Sequence, residues 1–413
     1  MAGNLRDRLK RIQQSKQTEK TVQTADISPF AAEGWALAGH LTLRREVDGG
    51  GGIELPVTMP EAAGIVAPGI RAGTAYEDLL FFDLETTGLS GGAGTIAFLA
   101  AFGRLAATGG AGPKTALYKL RITQYLLLDY PGESDFIEAL LGEFKGGGIT
   151  MVSYNGRCFD SQILATRCLM NRVVPPEYRH ADLLYPARRL WKRLLPDCSQ
   201  ATIETGIFGI DRTGDIPGAM APEIWFSFLK SGETEPLLGI CEHNRRDIAG
   251  LAAIFSATMR IARDPFFAMK KINFDFETFS IRWYEITHCR GKNYLNEFCE
   301  NPRLVNMGEK LLRYAAEMAC PRAELRYGLV LLRAKNYDEA REWLYRAADK
   351  SRPPPLRITA LRALGIDSER RMNDIPEALK LAGRALALLP PDSSRREEFE
   401  RRIRRLRLKS NIK

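Results

Sequence analysis

The sequence predicts an α/β domain followed by an all-α domain. Three strand-like runs rich in Phe, Leu, Ile and Tyr, separated by glycine clusters, lie between residues 79 and 123. Helical patterns dominate from Phe159 to Ala262, so we expect helices to cover a sheet. Beyond Asp264 no strand pattern remains. At 413 residues the chain is too long for a single hydrophobic core, which agrees with more than one domain.

Composition divides the chain into four predicted segments. Residues 1–27 are polar and basic, which predicts a flexible arm. Residues 28–77 are predicted to form an N-terminal hairpin and linker, in which Gly49–Gly52 is a loose turn. Residues 78–262 carry the α/β pattern, and residues 263–413 form the helical domain with its basic tail.

Charge and apolar content limit the class of protein. The chain has 59 Lys and Arg against 50 Asp and Glu, a formal charge of +9, which is compatible with a polyanionic partner but also with none. We find neither a secretory signal nor an apolar run near the roughly 18 to 20 residues of a membrane span. A cytoplasmic location without membrane contact is therefore expected. Seven scattered cysteines without a CxxC pair indicate neither a disulfide framework nor a thiolate zinc site.

A repeat in the C-terminal region predicts paired helices. Tyr337–Ala340 and Ile375–Ala378 are similar and lie 38 residues apart. Gly328 and Gly365 precede them by similar distances, and small residues at such positions let two helices approach closely. The segment resembles the tetratricopeptide repeat with insertions, and an irregular helical array is the alternative.

Two acidic residues lie in the first predicted strand. Residues two apart in a strand point to the same face, so Asp83 and Glu85 project together while Phe82 and Leu84 point into the core. Thr86 follows in a turn that brings backbone amides near the pair. A solvated acidic turn is the alternative, because an isolated Asp-x-Glu pattern is common.

A third acid, Asp160, follows another predicted strand and begins a helix. An Asp in the first helical turn is often only a cap or a partner of the helix dipole. Two neighbours favour a functional role. The amide of Asn155 is able to hold a phosphate or a neighbouring carboxylate, and the ring of Phe159 is able to pack either on a base or on the core. Asp182, further along, either orients a ligand or caps a helix.

A fourth acid, Asp247, lies four residues after His243 in a helical pattern, so both emerge on one side of the helix. An imidazole beside a metal-binding carboxylate is suited to accept a proton from an attacking water, and a structural ion pair is the alternative. If the four acids converge, they require hard divalent cations with oxygen ligands, which is the chemistry of phosphate-ester hydrolysis.

These three clusters, in this order, resemble the motifs of the DEDD, or DnaQ-like, 3′–5′ exonuclease superfamily, which has a ribonuclease-H-like fold. Phe82–Leu89 resembles its first motif, Asn155–Asp160 its second and His243–Asp247 its third. His180–Trp191 and Cys198–Glu204 resemble its helical insert. The branches of that superfamily place a His five residues or a Tyr four residues before the last Asp, whereas this chain has its His at four.

Within that superfamily, the chain resembles the YprB-type ribonuclease-H-like proteins more closely. The similarity rests on Thr86–Thr95, Asp215–Gly218 and the third motif, together with a tetratricopeptide-like tail. The resemblance implies a ribonuclease-H-like mixed sheet with flanking helices, followed by an all-α tetratricopeptide-like domain.

The resemblance also implies a mechanism. Two Mg²⁺ or Mn²⁺ ions would be held by the four carboxylates, and His243 would take the proton of the attacking water. The substrate would be DNA or RNA, and a protein partner would bind the helical repeats. The catalytic and metal-binding set is Asp83, Glu85, Asp160 and Asp247, with His243 as the base, and the predicted substrate contacts are Thr86, Asn155, Phe159 and Arg188.

Two alternatives stay open. The chain is either a nuclease or a scaffold with little catalysis that binds nucleic acid or protein through its helical repeats. The basic stretch Arg401–Lys409 either grips phosphates or forms the solvated face of a last helix.

Overall fold

The protein is described by a computed structural model that covers residues 27–88, 94–110, 112, 114–289 and 296–410. The predicted basic arm of residues 1–27 therefore lies outside the described residues, apart from Ile27. The chain divides into two compact units. The first comprises residues up to Pro186 together with Cys198–Arg263, and the second comprises Ala187–Asp197 and the residues from Asp264 onward.

The first unit is a mixed sheet with helices. Its strands are β1 (Ala36–Gly39), β2 (Thr42–Pro56), β3 (Leu79–Thr86), β4 (Ala97–Gly110), β5 (Thr115–Leu127), β6 (Thr150–Ser153) and β7 (Arg179–Asp182). Its helices are α1 (Ser28–Ala32), α2 (Ala63–Val66), α3 (Glu133–Gly142), α4 (Asp160–Met170), the first part of α5 (Leu184–Trp191), α6 (Gln200–Phe208), α7 (Ala221–Ser231) and α8 (Glu235–Arg263).

The sheet has the order β1-β2-β5-β4-β3-β6-β7. Strands β1 to β5 pair antiparallel, whereas β3, β6 and β7 are parallel, with Leu79 opposite Thr150 and Ser153 opposite Asp182. The carboxyl ends of the three parallel strands meet at one edge of the sheet, which is where α/β proteins commonly bind ligands. The mixed sheet with flanking helices that the sequence predicts is confirmed.

The N-terminal hairpin differs from its prediction. Its turn lies between β1 and β2, where Leu41 has a φ of 53°, and not at Gly49–Gly52. Those glycines lie inside β2 as a bulge between Asp48 and Gly52. A Cβ on Gly52 would lie 2.5 Å from Leu117, so glycine permits a close approach here instead of a chain reversal. The segment 28–77 thus adds two strands to the sheet of the α/β unit.

Strand β7 was not predicted. The sequence indicates a helix from Ala181, but Arg179–Asp182 pairs parallel with β6, and α5 begins only at Leu184. The reason is tertiary: a four-residue strand with polar residues at its ends has no clear alternation, and pairing with the buried strand β6 decides its conformation.

The 29-residue helix α8 crosses the sheet and packs on β2, β3, β4 and β5. A Cβ on Gly103 of β4 would lie 2.6 Å from Ile248 of α8, so glycine lets the helix lie directly on the strand. On the same face of the sheet, Phe81 of β3 packs edge to face on Phe255 of α8, with ring centroids 5.6 Å apart. Helix α8 is thereby fixed over β3.

The described residues of the second unit form helices joined by short connections and contain no strand, as predicted. Besides the end of α5, its helices are α9 (Pro265–Ala268), α10 (Phe276–Thr287), α11 (Asn296–Cys299), α12 (Pro302–Glu317), α13 (Pro321–Arg333), α14 (Tyr337–Ala347), α15 (Pro354–Arg370), α16 (Ile375–Ala387) and α17 (Arg396–Ser410). The two copies of the repeat begin α14 and α16, and the main helix pairs are α13 with α14 and α15 with α16.

The glycines of the repeat lie at these helix contacts. A Cβ on Gly328 would lie 3.0 Å from Cγ of Leu344 in the partner helix. A Cβ on Gly365 would make an ordinary contact of 3.6 Å with Leu381. The prediction that small residues allow close helix packing is confirmed most clearly for Gly328.

The basic tail forms α17, and part of its charge is neutralised within the unit. Arg402, Arg405 and Lys409 each contact the carboxylate of Glu369 in α15, which is 7% exposed. These contacts favour the interpretation of the tail as a docked last helix. Among the described residues, no helix combines the length and the apolar content that crossing a membrane requires.

Candidate active site

Strand β3 carries the first two acids into the interior near the edge where the parallel strands end. Phe82 and Leu84 are buried in the core, as the alternation predicts, so Asp83 and Glu85 share the opposite face. Leu79 to Phe82 are fully buried on both faces, which identifies β3 as a central strand.

The two carboxylates of β3 lie close to other negative charges. Burial, followed by the charges of Asp247, Asp160 and Glu85, raises the pKa of Asp83 well above its usual value. Burial, followed by the charges of Asp247, Asp160 and Asp215, raises the pKa of Glu85 in the same way. Acids that act on one another this strongly lie near one point and need a cation to stay ionised together.

Asp160 is positioned by a turn between β6 and α4. Asn155 adopts a left-handed φ of 62°, and its backbone N–H donates a 2.8 Å hydrogen bond to Oδ1 of Asp182. The backbone N–H of Arg157 donates to the other oxygen of Asp182 at 3.1 Å. Buried Asp182 therefore fixes the turn that delivers Asp160, and it also accepts a bond from the backbone of Leu184 at the start of α5.

The environment of Asp160 resembles that of the β3 acids. Burial, with a further contribution from the charge of Asp182, raises the pKa of Asp160 to about 7. The turn leaves no room for a side chain at Gly156, where a Cβ would lie 2.8 Å from Oδ2 of Asp160. A glycine is thus required for the carboxylate to reach its position.

Helix α8 brings His243 and Asp247 to the same place. Nε2 of His243 lies 3.4 Å from Oδ2 of Asp247 and 4.0 Å from Oε1 of Glu85. The shift of the histidine to the fourth position before Asp247 therefore still leaves its imidazole beside the acids. The structure brings the five predicted catalytic residues together.

A loop between α6 and α7 adds a cation to this group of acids. Arg212 donates hydrogen bonds from Nε to Glu204 at 2.6 Å and from Nη1 to Asp215 at 2.8 Å, and its Nη2 lies 2.6 Å from Oδ1 of Asp247. Asp215 also places Oδ2 3.0 Å from Nδ1 of His243. The contacts of Nη2 and of Nδ1 are close approaches to carboxylate oxygens without the alignment of a hydrogen bond.

The sequence did not single out Asn244, Arg212 or the role of Glu204. Asn244 is fully buried and donates a 2.7 Å hydrogen bond from Nδ2 to Oδ2 of Asp83. The sequence did contain a signal for Asn244, because this amide lies inside the third motif, His243–Asp247. Asp215, which pairs with Arg212, likewise lies in the Asp215–Gly218 motif. The ion pairs of Arg212 join residues from three separate segments, and no local pattern indicates them.

The predicted substrate contacts have mixed surroundings. The hydroxyl of Thr86 donates to the carbonyl of Gly88, so it is used within the turn. The side chains of Asn155 and Phe159 are exposed beside Asp160. Arg188 lies in the part of α5 that belongs to the second, helical unit, so it is not among the residues that surround the acids. Their contact with a substrate stays a prediction.

The arrangement fits divalent metal ions. Ligand atoms of Glu85, His243 and Asp247 all lie within 4.8 Å of one another. Burial, followed by repulsion from the neighbouring acids, raises the pKa values of Asp83 and Glu85, and a bound cation would offset both effects. Carboxylate oxygens with a single imidazole are ligands that suit Mg²⁺ or Mn²⁺, whereas thiolates are absent from this cluster.

Comparison with known protein families agrees with this architecture. Residues 80–259 match the RNase_H superfamily, and residues 319–390 match the tetratricopeptide repeat. The first match contains all five predicted catalytic residues, and the second contains both copies of the repeat. The predicted combination of a ribonuclease-H-like sheet with a tetratricopeptide-like helical region is confirmed.

One relative shares a large part of the chain. The uncharacterized protein YprB of Bacillus subtilis (strain 168) is 35% identical over 209 residues. The match covers 49% of this chain and 47% of YprB, so the chain matches about half the length of that relative. The name of the relative assigns no activity.

Proposed function

We propose, from the match of residues 80–259 to the ribonuclease H superfamily, that this chain is a metal-dependent nuclease. Its reaction would be hydrolysis of phosphodiester bonds in DNA or RNA, from the 3′ end. The observation that carries the proposal is the convergence of Asp83, Glu85, Asp160 and Asp247 beside His243.

Four acidic side chains would hold the metal. Asp83 and Glu85 come from one strand, Asp160 from the start of α4 and Asp247 from α8, so the ligands are fixed by regular elements. Two divalent cations held by these residues would activate a water and stabilise the leaving 3′ oxygen. The rigid sheet and helix hold the carboxylates in place before the substrate arrives, which lowers the cost of organising the site.

His243 is the proton acceptor in this proposal. Its Nε2 faces Glu85 and Asp247, so it would lie beside a water bound to metal ions at these carboxylates. The same geometry supports a role as a metal ligand. Replacing His243 distinguishes the two roles. Loss of a metal ligand weakens metal binding, whereas loss of a general base lowers kcat at saturating metal.

The substrate would be guided by groups around the acids. Phe159 is 40% exposed next to Asp160, and a base stacking on its ring would gain roughly 1 to 3 kcal/mol. The helical region, which contains a tetratricopeptide repeat segment, would recruit a protein partner.

The test compares purified Asp83→Ala with Glu138→Ala, an exposed acid of α3 on the same sheet domain. Single-stranded DNA and RNA oligonucleotides labelled at the 5′ or the 3′ end are incubated with Mn²⁺. We expect the wild type and Glu138→Ala to shorten the strands and Asp83→Ala to leave them intact. Equal degradation by Asp83→Ala would refute the assignment.

Circular substrates test the need for an end. An exonuclease shortens a linear strand stepwise and leaves a circular strand of the same sequence untouched. Cleavage of the circle at a similar rate would establish an endonuclease and overturn the 3′–5′ part of the proposal.

The alternative is a scaffold that keeps the fold and binds partners through its helical region. Metal binding separates the two, because a scaffold has no need for a cation at the four acids. Titration calorimetry with Mn²⁺ on the wild type and on Asp83→Ala gives the answer. Absence of Mn²⁺ binding by the wild type would favour the scaffold.

A further inference from the structure

The loop between α6 and α7 contacts the site through two residues that the proposed mechanism does not use. Arg212 and Asp215 are 12% and 11% exposed at their side chains, so both are largely shielded from solvent although they lie in a loop. Burying charged side chains in a loop is costly unless they have partners. Their partners therefore indicate what the loop does.

Arg212 holds the loop in place. Its Nε donates to Glu204, which is 1% exposed at its side chain, and its Nη1 donates to Asp215 in the same loop. The third contact of the guanidinium is with Oδ1 of Asp247. The loop is thus joined to α6 and α8 at once, and Asp247 keeps Oδ2 turned towards His243.

Asp215 faces the edge of His243 that points away from the acids. The two ring nitrogens have separate neighbours: Nδ1 lies 3.0 Å from Oδ2 of Asp215, and Nε2 faces Glu85 and Asp247. Nδ1 is shielded from solvent, so it depends on Asp215 for a polar neighbour. A carboxylate at Nδ1 favours a proton on that nitrogen and leaves the lone pair on Nε2.

Space is limited on the other side of the ring. A Cβ on Gly218, in the same loop, would lie 3.0 Å from Nε2 of His243 and 3.9 Å from Oε1 of Glu85. The loop therefore passes close to the imidazole and confines it. It contacts His243 through one carboxylate and one glycine, both in the Asp215–Gly218 motif.

We propose that Asp215 is a positioning residue for His243. It holds Nδ1 so that the unprotonated Nε2 faces Glu85 and Asp247, and Arg212 anchors the loop that carries it. This inference rests on the proposed nuclease function for its importance to turnover, but the orientation and tautomer of the imidazole are properties of the resting protein. They are measurable whether or not the chain hydrolyses a nucleic acid.

The test uses Asp215→Asn, with Asp211→Asn as the matched control. Asp211 lies in the same loop, is exposed and bonds only within the loop to Thr213 in the contacts described. Oδ2 of Asp215 faces Nδ1 and also accepts from Nη1 of Arg212. Asp215→Asn keeps the shape of the side chain but removes the negative charge beside Nδ1, so the carboxylates of Glu85 and Asp247 then favour a proton on Nε2. Circular dichroism checks folding, and Asp215→Ser serves if Asp215→Asn does not fold.

The first measurement is the nitrogen NMR spectrum of the imidazoles. The chain has four histidines, and His243→Gln identifies the signal of His243. Spectra are recorded without metal at about pH 9, above the ordinary pKa of histidine. We expect a proton on Nδ1 in the wild type and in Asp211→Asn, and on Nε2 in Asp215→Asn. A proton on Nε2 in the wild type, or an unchanged spectrum in Asp215→Asn, would overturn the inference.

The second measurement is turnover at saturating Mn²⁺ on the oligonucleotide that the wild type degrades. We expect kcat to fall about 100-fold in Asp215→Asn with little change in KM, the range of a misplaced general base. An unchanged kcat in a variant with the altered tautomer would remove the positioning role. An inactive wild type with the expected spectra would reject the nuclease proposal and leave the orientation of His243 established.

Discussion

Asn244 of α8 donates a 2.7 Å hydrogen bond from Nδ2 to Oδ2 of Asp83. The amide is itself held, because Gln124 of β5 donates to Oδ1 of Asn244 at 2.9 Å and Arg45 of β2 donates to Gln124 at 2.8 Å. A line of buried polar groups thus runs across the sheet to the first acid of the site. Such supporting bonds fix the direction of a metal-binding carboxylate.

Replacing Asn244 tests this support. Asn244→Ala removes the donor to Asp83, and we expect Mn²⁺ to bind about tenfold more weakly, the lower end of effects seen for groups that orient metal ligands. The free energy of unfolding should fall by about 1 to 3 kcal/mol, because buried polar groups lose a partner. Calorimetry and urea denaturation measure the two effects. Asn171→Ala, which removes a backbone contact at the end of α4, is the control, and equal Mn²⁺ affinity in both variants would contradict the prediction.

Gly250 in α8 makes room for Glu204. A Cβ at this position would lie 1.6 Å from Oε1 of Glu204, so Gly250→Ala must displace the carboxylate that anchors Arg212. Alanine gains about 1 kcal/mol in helix propensity. Displacing a buried, paired carboxylate costs about 1 to 3 kcal/mol or more, so we expect net destabilisation in thermal denaturation.

A double variant isolates the cause of that effect. In a Glu204→Ala background the obstacle is gone, and Gly250→Ala should then be neutral or stabilising. A penalty that is the same in both backgrounds would show that Glu204 is not the group that alanine displaces.

Two glycines of the helical unit form a matched pair. Both lie inside helices, but a Cβ on Gly328 would press on Leu344 at 3.0 Å, whereas Gly365 leaves 3.6 Å to Leu381. Leu344 is fully buried and its backbone nitrogen is 3.3 Å away, so it has little room to move. We expect Gly328→Ala to lower the free energy of unfolding by about 1 to 3 kcal/mol and Gly365→Ala to raise it by up to about 1 kcal/mol. Urea denaturation gives both values, and the opposite order would refute the packing argument.

Glu369 should make the docking of α17 dependent on pH. Hydrogen bonds from Arg405, opposed by burial and reinforced by Lys409, lower the pKa of Glu369 to about 2. A carboxyl whose pKa is lower in the folded state stabilises above its unfolded value of about 4.5, and the contribution is lost as the pH falls towards 2.

The variant Glu369→Gln removes this contribution. We expect it to be less stable than the wild type by about 1 to 3 kcal/mol at neutral pH, since three cations face a neutral amide. The difference should shrink between about pH 4.5 and pH 2. Glu400→Gln, which loses one half-exposed contact of 3.7 Å, is the control. A difference that does not change over this pH range would contradict the assignment.

The sequence predicted the elements whose signal is local. The alternation around Asp83, the apolar strand before Asp160 and the helical spacing of His243 and Asp247 each specify a face, and the structure places these faces together. The short strand β7 was missed because pairing with β6 determines it. The glycines of β2 were misread as a turn because the same residue type serves a turn and a close approach of two strands.

The remaining parts of the site depend on contacts between distant segments. Arg212 finds its three carboxylates on α6, on its own loop and on α8, and Asn244 reaches across to β3. Residues that pair in this way recur neither with a helix or strand period nor at a fixed spacing in the sequence. The sequence therefore identified the acids that repel one another but not the groups that hold them in position.

Strand β2 has a consequence for the choice of shortened proteins. A fragment that begins at residue 78 would discard β1 and β2 and leave the long edge of β5 unpaired, which invites self-association. It would also deprive Gln124 of Arg45, whose guanidinium lies over the ring of Trp35. A fragment intended to keep the acidic site intact should therefore begin upstream of Trp35, because the β1–β2 hairpin supports Asp83 through Arg45, Gln124 and Asn244.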